Sequence, residues 1–304
     1  LIGDRLGLNE IMTSREMRQM KTNRLLDIIS HATAELTDHN LDHSQLLSEQ
    51  LISCVLSCAR LELYSRSNDI LNKHQVNQIY DGIKRMVQGE PLQYITGQTD
   101  FMGHRFKVDN RCLIPRPETE ALVEWIAGFE PLWKIPQPVI IDAGTGSGCI
   151  AISLALNKPE GRYIAIDISE PALSAAKENA AMHGVQERIQ FKHHHLLNGL
   201  SADSADAVIS NPPYVRTDEW ERLERHIRDH EPRTALDGGS NGLSVINPLI
   251  LQSFHVLKHR GFIFMEAGED QWLDIQASLE SAGFRGSTIR QDLTGKKRMI
   301  CANK

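Results

Sequence analysis

The run Val139-Ile140-Ile141-Asp142-Ala143-Gly144-Thr145-Gly146-Ser147-Gly148 constrains this chain more than any other segment. An apolar strand ends in an acidic residue, glycine recurs at every second position, and an apolar helical pattern over Ser147–Leu156 begins at once. Glycine at such a turn lets the backbone reverse sharply and lets a ligand approach the main chain with no Cβ in the way. The alternation of strand and helix then continues. Strands are expected at Tyr163–Asp167, Ile189–His193, Ala207–Ser210, Gly261–Glu266, Phe284–Gln291 and Arg298–Ala302, with a helix over Glu170–His183. This spacing implies an α/β fold: a doubly wound, seven-stranded, mostly parallel sheet with helices on both faces.

The front of the chain reads differently. Leu25, Leu26 and Ile29, then Leu46, Leu47, Leu51, Ile52, Val55 and Leu56, recur at three- and four-residue spacing, which predicts a small helical bundle. Gly89-Glu90-Pro91 stops the helices, and two short extended runs around Gly97 and Gly103, within Tyr94–Val108, predict a hairpin. The expected organisation is a bundle over 20–90, a β-hairpin linker over 91–117 and an α/β domain over 118–304. The first residue is Leu rather than Met, and residues 1–19 carry both acidic and basic side chains, so that stretch is left unassigned.

Composition narrows the partners. The net charge is −6, and 20–100 holds seven Lys/Arg against ten Asp/Glu, which disfavours a phosphate-gripping front domain and direct contact with nucleic acid. No apolar stretch approaches the roughly 18 residues of a membrane span. The five cysteines (Cys54, Cys58, Cys112, Cys149, Cys301) are odd in number and scattered, which argues against a disulfide framework and for a reducing compartment. The cytoplasm is expected, with a mitochondrial address as the alternative. A monomer is the expected state.

Two sites carry chemistry. Asp167, nineteen residues after Gly148, stands at the tip of the next strand, where a carboxylate can accept from both ribose hydroxyls. The dinucleotide fingerprint spaces its glycines G-x-G-x-x-G, whereas this turn reads G-x-G-x-G after Asp142. Further on, Ser210-Asn211-Pro212-Pro213-Tyr214 follows a strand that ends on the same sheet edge. A planar NH2 is a poor nucleophile because its lone pair is delocalised. The side-chain oxygen of Asn211 and the carbonyl of Pro212 can each accept one of its N–H bonds and orient the nitrogen. Pro212 and Pro213 stiffen the loop, and Tyr214 offers a face for a flat amide or base. His193-His194-His195 cannot all face one ion, because side chains alternate along a strand. No metal is expected. Arg116 and Glu118 open a helix, either as an ordinary helix start or in contact with substrate, and Lys296-Lys297-Arg298 reads as a solvated turn.

The glycine turn with its preceding Asp142 resembles motif I of the class I, Rossmann-like methyltransferases, which implies S-adenosylmethionine as cofactor and S-adenosylhomocysteine as product. Asn-Pro-Pro-Tyr occurs in such enzymes acting on adenine N6, on guanine N2 and on protein glutamine. Gly89-Glu90-Pro91-Leu92-Gln93-Tyr94-Ile95-Thr96-Gly97, Leu113-Ile114-Pro115-Arg116-Pro117-Glu118-Thr119-Glu120, His230-Glu231-Pro232-Arg233-Thr234-Ala235-Leu236-Asp237-Gly238-Gly239 and Asp292-Leu293-Thr294-Gly295-Lys296-Lys297-Arg298 narrow the choice. From about Asn23 to the C-terminus they resemble the release-factor glutamine methyltransferases, the PrmC/HemK family. The resemblance implies N5-methylation of the glutamine in the Gly-Gly-Gln motif of class 1 release factors, with the helical front domain gripping the release factor. It implies cofactor contacts from Gly144, Thr145, Gly146, Ser147, Gly148, Asp167 and Asn211, and a glutamine clamp over Asn211–Tyr214. Where the family has an acidic residue followed by a bulky one beside the adenine, this chain has His195-Leu196. Neutral His195 can still hydrogen-bond the adenine, so the departure bears on cofactor affinity and not on reaction type. The alternatives are a nucleic-acid amino-methyltransferase and a non-catalytic adaptor that keeps the fold.

Overall fold

A computed structural model describes residues 22–292 and 294–304. The unassigned stretch 1–19, Met20, Lys21 and Leu293 lie outside them. The chain divides into two compact units, the first running to Thr96 and the second from Gly97 to Lys304.

The first unit is helical: α1 (Leu25–Asp38), α2 (Ser44–Val55), the short α3 (Glu62–Ser65), α4 (Lys73–Val87) and α5 (Leu92–Thr96). Leu25, Ile28, Ala32 and Leu36 form the buried stripe of α1 and meet Leu51, Ile52, Ile79 and Ile83 of α2 and α4. Asn72 starts α4 with a reciprocal capping box: its Oδ1 accepts from the Gln75 amide and its own amide donates to Gln75 Oε1, each at 3.0 Å. Such a cap stabilises a helix by about 1 kcal/mol. Tyr94, Ile95 and Thr96, expected as extended, are helical instead. The amides of Tyr94 and Ile95 both donate to the Pro91 carbonyl, and Leu92 and Tyr94 are buried.

The second unit opens with the hairpin β1 (Gln98–Phe101) and β2 (His104–Lys107), followed by α6 (Pro117–Ala127) and α7 (Glu130–Trp133). There follow β3 (Val139–Ala143), α8 (Cys149–Asn157), β4 (Arg162–Asp167), α9 (Glu170–Met182), β5 (Ile189–His193) and β6 (Ala205–Ser210). The chain closes with α10 (Arg225–Arg228), α11 (Ile246–Val256), β7 (Leu257–Glu266), α12 (Trp272–Ala282), β8 (Arg285–Gln291) and β9 (Lys297–Asn303).

Seven strands form one sheet in the order β5-β4-β3-β6-β7-β9-β8, parallel except for β9, which runs antiparallel to both β7 and β8. Strand alternation divides the core between the two faces. Ile140, Ala207 and Ile209 join α6 and α8 residues on one face, whereas Ile141, Ala143 and Val208 join α11 and α12 residues on the other. Strand β6 lies between β3 and β7, and all six of its residues are buried.

The hairpin placed by the glycine pattern in a linker is bound into this second unit. Phe101 and Phe106 are buried in its core, and Asn179 on α9 exchanges hydrogen bonds with both the amide and the carbonyl of Lys107, at 2.8 and 3.0 Å. Sequence periodicity registers the strands of a hairpin but not the helix they pack against. Among the described residues, no helix is long and apolar enough to cross a membrane.

Candidate active site

Strand order reverses between β3 and β6, and a crevice opens at the carboxyl ends of the parallel strands, where open α/β sheets hold ligands. A cavity of about 470 Å³ lies there, with Gly144, Gly146, Asp167, His195, Asn211 and Pro213 in its wall.

Each glycine of the turn has its own reason. Gly144 (φ 75°) and Gly146 (φ 55°) are left-handed, and a Cβ on either would meet nothing within 4 Å, so the wall there is bare backbone. Gly148 (φ 83°) is a packing glycine, because a Cβ would lie 2.8 Å from Ile152 Cδ1 and 3.1 Å from Ala176 Cβ, between α8 and α9. Asp142, Thr145 and Ser147 are buried beneath the turn. Asp142 Oδ2 accepts from Thr145 Oγ1 at 2.6 Å and from the Ala151 amide at 3.2 Å. Its Oδ1 has no hydrogen-bond partner among the described residues, and burial pushes the carboxyl up to about 7. Asp167 accepts from the Gly146 amide at 2.9 Å and the Ser169 amide at 2.8 Å. Burial raises its pKa, and those two amides oppose the rise.

The three histidines separate. His193 Nε2 lies 2.8 Å from the Ile168 carbonyl, and its Nδ1 lies 3.2 Å from Glu170 Oε1. His194 and His195 line the cavity together with Leu196, which takes a left-handed φ of 52°. Among the described residues no group of three or more His, Cys, Asp or Glu is placed to hold a metal ion.

Asn211 leaves the end of β6 and reaches the cavity, tied from behind. Its Nδ2 donates to Thr119 Oγ1 at 3.0 Å, and that hydroxyl donates to Glu266 Oε2 at 2.7 Å. Pro212 is buried and Pro213 lines the cavity. Tyr214, expected to offer its face to a flat group, is not in the cavity wall. Its ring packs against the core, and its hydroxyl donates to Glu266 Oε1 at 3.3 Å. Burial and the neighbouring carboxylate raise the phenol pKa.

The loop after α10 braces this segment. Val215 donates to the Leu236 carbonyl at 2.9 Å, Gly238 donates to the Val215 carbonyl at 2.8 Å, and Gln271 Nε2 donates to the Tyr214 carbonyl at 2.9 Å. A Cβ on Gly238 would lie 2.8 Å from both Tyr214 Cα and the Gly242 carbonyl oxygen, so two backbones meet where only glycine fits. Glu231, buried in the same loop, accepts from the Ile114 amide at 3.1 Å and pairs with Arg116. Arg116 is thus the residue before a helix that opens with Pro117, and it joins the 111–116 segment to the 230–237 loop.

Four contributors have no role readable from sequence: Thr119, Asn179, Glu231 and Glu266. Asn179 carries Nδ2 to the Ser147 carbonyl at 2.9 Å, fastening the glycine turn to α9. Thr119 and Glu231 sit inside the segments that carry the family resemblance, which marks them without saying what they touch. Asn179 and Glu266 lie outside those segments.

Comparison with known proteins identifies relatives along most of the chain. A family profile described as the PrmC N-terminal domain matches residues 27–97, and one described as the methyltransferase small domain matches 129–230. A protein from Coxiella burnetii named release factor glutamine methyltransferase is 37% identical over 260 residues, 86% of this chain and 92% of its own. One of the same name from Enterococcus faecalis is 39% identical over 232 residues, 76% of this chain and 82% of its own. Among solved structures, the hMettl16 catalytic domain in complex with a 3′UTR hairpin aligns with a TM-score of 0.52 at 14% identity, covering 76% of this chain and 82% of that one; the likeness is one of fold.

Proposed function

Because the chain belongs to the family of release factor glutamine methyltransferases, we propose that it methylates the N5 nitrogen of the glutamine in the Gly-Gly-Gln motif of class 1 release factors. It is an S-adenosylmethionine-dependent enzyme. The observation that carries the reading is that Asn211 and Pro213 share one cavity with Gly144, Gly146 and Asp167. A nitrogen-orienting group therefore stands beside an adenosine-binding wall.

The residues fit the donor. Bare backbone at Gly144 and Gly146 accepts close approach, the Asp167 carboxylate is available to ribose hydroxyls, and the unpartnered Asp142 Oδ1 suits a cationic ligand nearby. S-adenosylmethionine supplies a methyl group on a positive sulfonium and leaves as S-adenosylhomocysteine. Asn211 Oδ1 and the Pro212 carbonyl accept the two N–H bonds of the glutamine amide, drawing its lone pair out of conjugation and aiming it at the methyl. On methylation the oriented nitrogen would give up one amide proton to solvent. The rate gain comes from alignment. His195 and Leu196, which line the cavity, would border the adenine, and the helical unit over 20–90 would grip the release factor. A monomer in the cytoplasm, where translation terminates, suits this role.

The test is transfer of labelled methyl from S-adenosylmethionine to purified release factor. Label should enter the wild-type factor and be lost when the Gly-Gly-Gln glutamine is replaced. Equal labelling of the replaced factor, or label found only in RNA or DNA, refutes the glutamine assignment.

A further inference from the structure

Asn211 carries two nearly isosteric ends, and only one of them serves the reaction. A glutamine NH2 needs acceptors. If Asn211 presented its own NH2, donor would face donor and the substrate nitrogen would be turned away. Something must decide which end faces the cavity.

Behind Asn211 stands a chain of hydrogen bonds whose direction is dictated by its far end. Glu266 closes β7 and is fully buried, and as a carboxylate it only accepts. Thr119, 2% exposed on α6, lies 2.7 Å from Glu266 Oε2, so its single hydroxyl proton is committed there. What remains on Thr119 Oγ1 is lone pair, and at 3.0 Å it takes a proton from Asn211 Nδ2. Tyr214 donates to the other carboxylate oxygen at 3.3 Å and reinforces the polarity. Thr119 and Glu266 are separated by 147 residues and meet only because α6 packs on β7.

We propose that Thr119 and Glu266 are positioning residues for methyl transfer: through this one-way chain they hold Asn211 with its side-chain oxygen, and not its NH2, toward the substrate nitrogen. The proposal rests on the role assigned to Asn211 above. It also gives the chain a proton-dependent direction. A protonated Glu266 can donate to Thr119, which is then free to donate to Asn211 and to favour the flipped amide. Burial and the nearby Glu118 push the Glu266 carboxyl up, whereas Thr119, Tyr214 and Arg298 of β9 hold it down, leaving it at about 7.

The experiment measures kcat on release factor and affinity for S-adenosylmethionine, from about pH 5.5 to pH 9, for wild type, Thr119→Val, Thr119→Ser, Glu266→Gln and Asn211→Ala. The wild type should lose kcat on the acid side. Thr119→Val should lower kcat by roughly 10- to 100-fold, with donor affinity within about twofold and the acid-side fall abolished. Thr119→Ser, which keeps the hydroxyl, should restore most of the rate together with the fall. Glu266→Gln should also flatten the profile, and it decides the question alone if Thr119→Val does not fold. A wild-type rate in Thr119→Val, or the same acid-side fall in both Thr119→Val and Glu266→Gln, overturns the chain while an inactive Asn211→Ala keeps the clamp. A wild-type rate in Asn211→Ala removes the clamp itself.

Discussion

Gly238→Ala tests the brace behind the clamp with one methyl group. The added Cβ would stand 2.8 Å from Tyr214 Cα, 2.8 Å from the Gly242 carbonyl oxygen and 2.9 Å from Gly242 Cα. Ordinary contact begins near 3.4 Å, so one of two backbones has to retreat by about 0.6 Å. All three obstacles are main-chain atoms, and no rotamer change relieves them. Gln271 Nε2 holds the Tyr214 carbonyl at 2.9 Å and resists movement on that side. Overpacking of this kind costs about 1–3 kcal/mol. A half-ångström displacement transmitted to Asn211 should lower kcat by about tenfold, since a 1 Å error in positioning is worth roughly 100-fold. Urea denaturation and steady-state methylation of release factor at saturating donor report the two effects. A variant with wild-type denaturation midpoint and wild-type kcat refutes the idea that this close approach sets the clamp.

Other perturbations separate the remaining parts of the site. Removing the carboxylate in Asp167→Ala should weaken S-adenosylmethionine binding by about 10- to 100-fold while the protein stays folded; calorimetric titration measures it, and unchanged affinity excludes Asp167 as a ribose ligand. Burial lifts the Asp142 carboxyl from 3.8 to about 7, so the folded state keeps a proton that the unfolded chain releases. Its contribution to stability is therefore complete below about pH 4, declines as pH rises and is lost above about pH 7. Asp142→Asn should flatten that part of the wild-type pH–stability curve in urea melts without ligand, and an unchanged slope counts against the shift. Arg116→Ala strands Glu231, whose side chain is fully buried, and because Arg116 itself is partly exposed the expected loss is about 2–3 kcal/mol, read from the denaturation midpoint. A negligible change means that the Ile114 amide alone satisfies Glu231.

What the sequence reveals and what it hides follow from distance along the chain. The strand, glycine turn, helix and acidic tip from Val139 to Asp167 are legible because each rests on a local rule: an apolar run, left-handed glycines and a carboxylate where a strand ends. Asn211 is legible for the same reason, as it follows an apolar strand directly. The surroundings of Tyr214 are not legible because its neighbours are far away in sequence. Glu266, 52 residues on, takes its hydroxyl, and the 238–242 backbone closes over it. The same holds for Arg116, whose partner lies 115 residues away. The helical turn at 94–96 was obscured by Gly97, which reads as a hairpin signal although it stands where the helix ends and the strand begins.

Strand β6 has consequences beyond packing. It sits inside the sheet with parallel neighbours on either side and no exposed residue, so the position at its tip is held by the deepest part of the domain. The backbone that carries Asn211 is therefore fixed by the interior of the sheet, and only the side-chain amide is left for its neighbours to turn. Any evolutionary shift in which molecule is modified is more readily absorbed by peripheral segments such as 217–229, none of whose residues is buried and which can change charge at little expense to folding. On the proposed reading, preference for a flat, two-proton nitrogen is anchored at the centre, and choice among bearers of that nitrogen belongs to the rim.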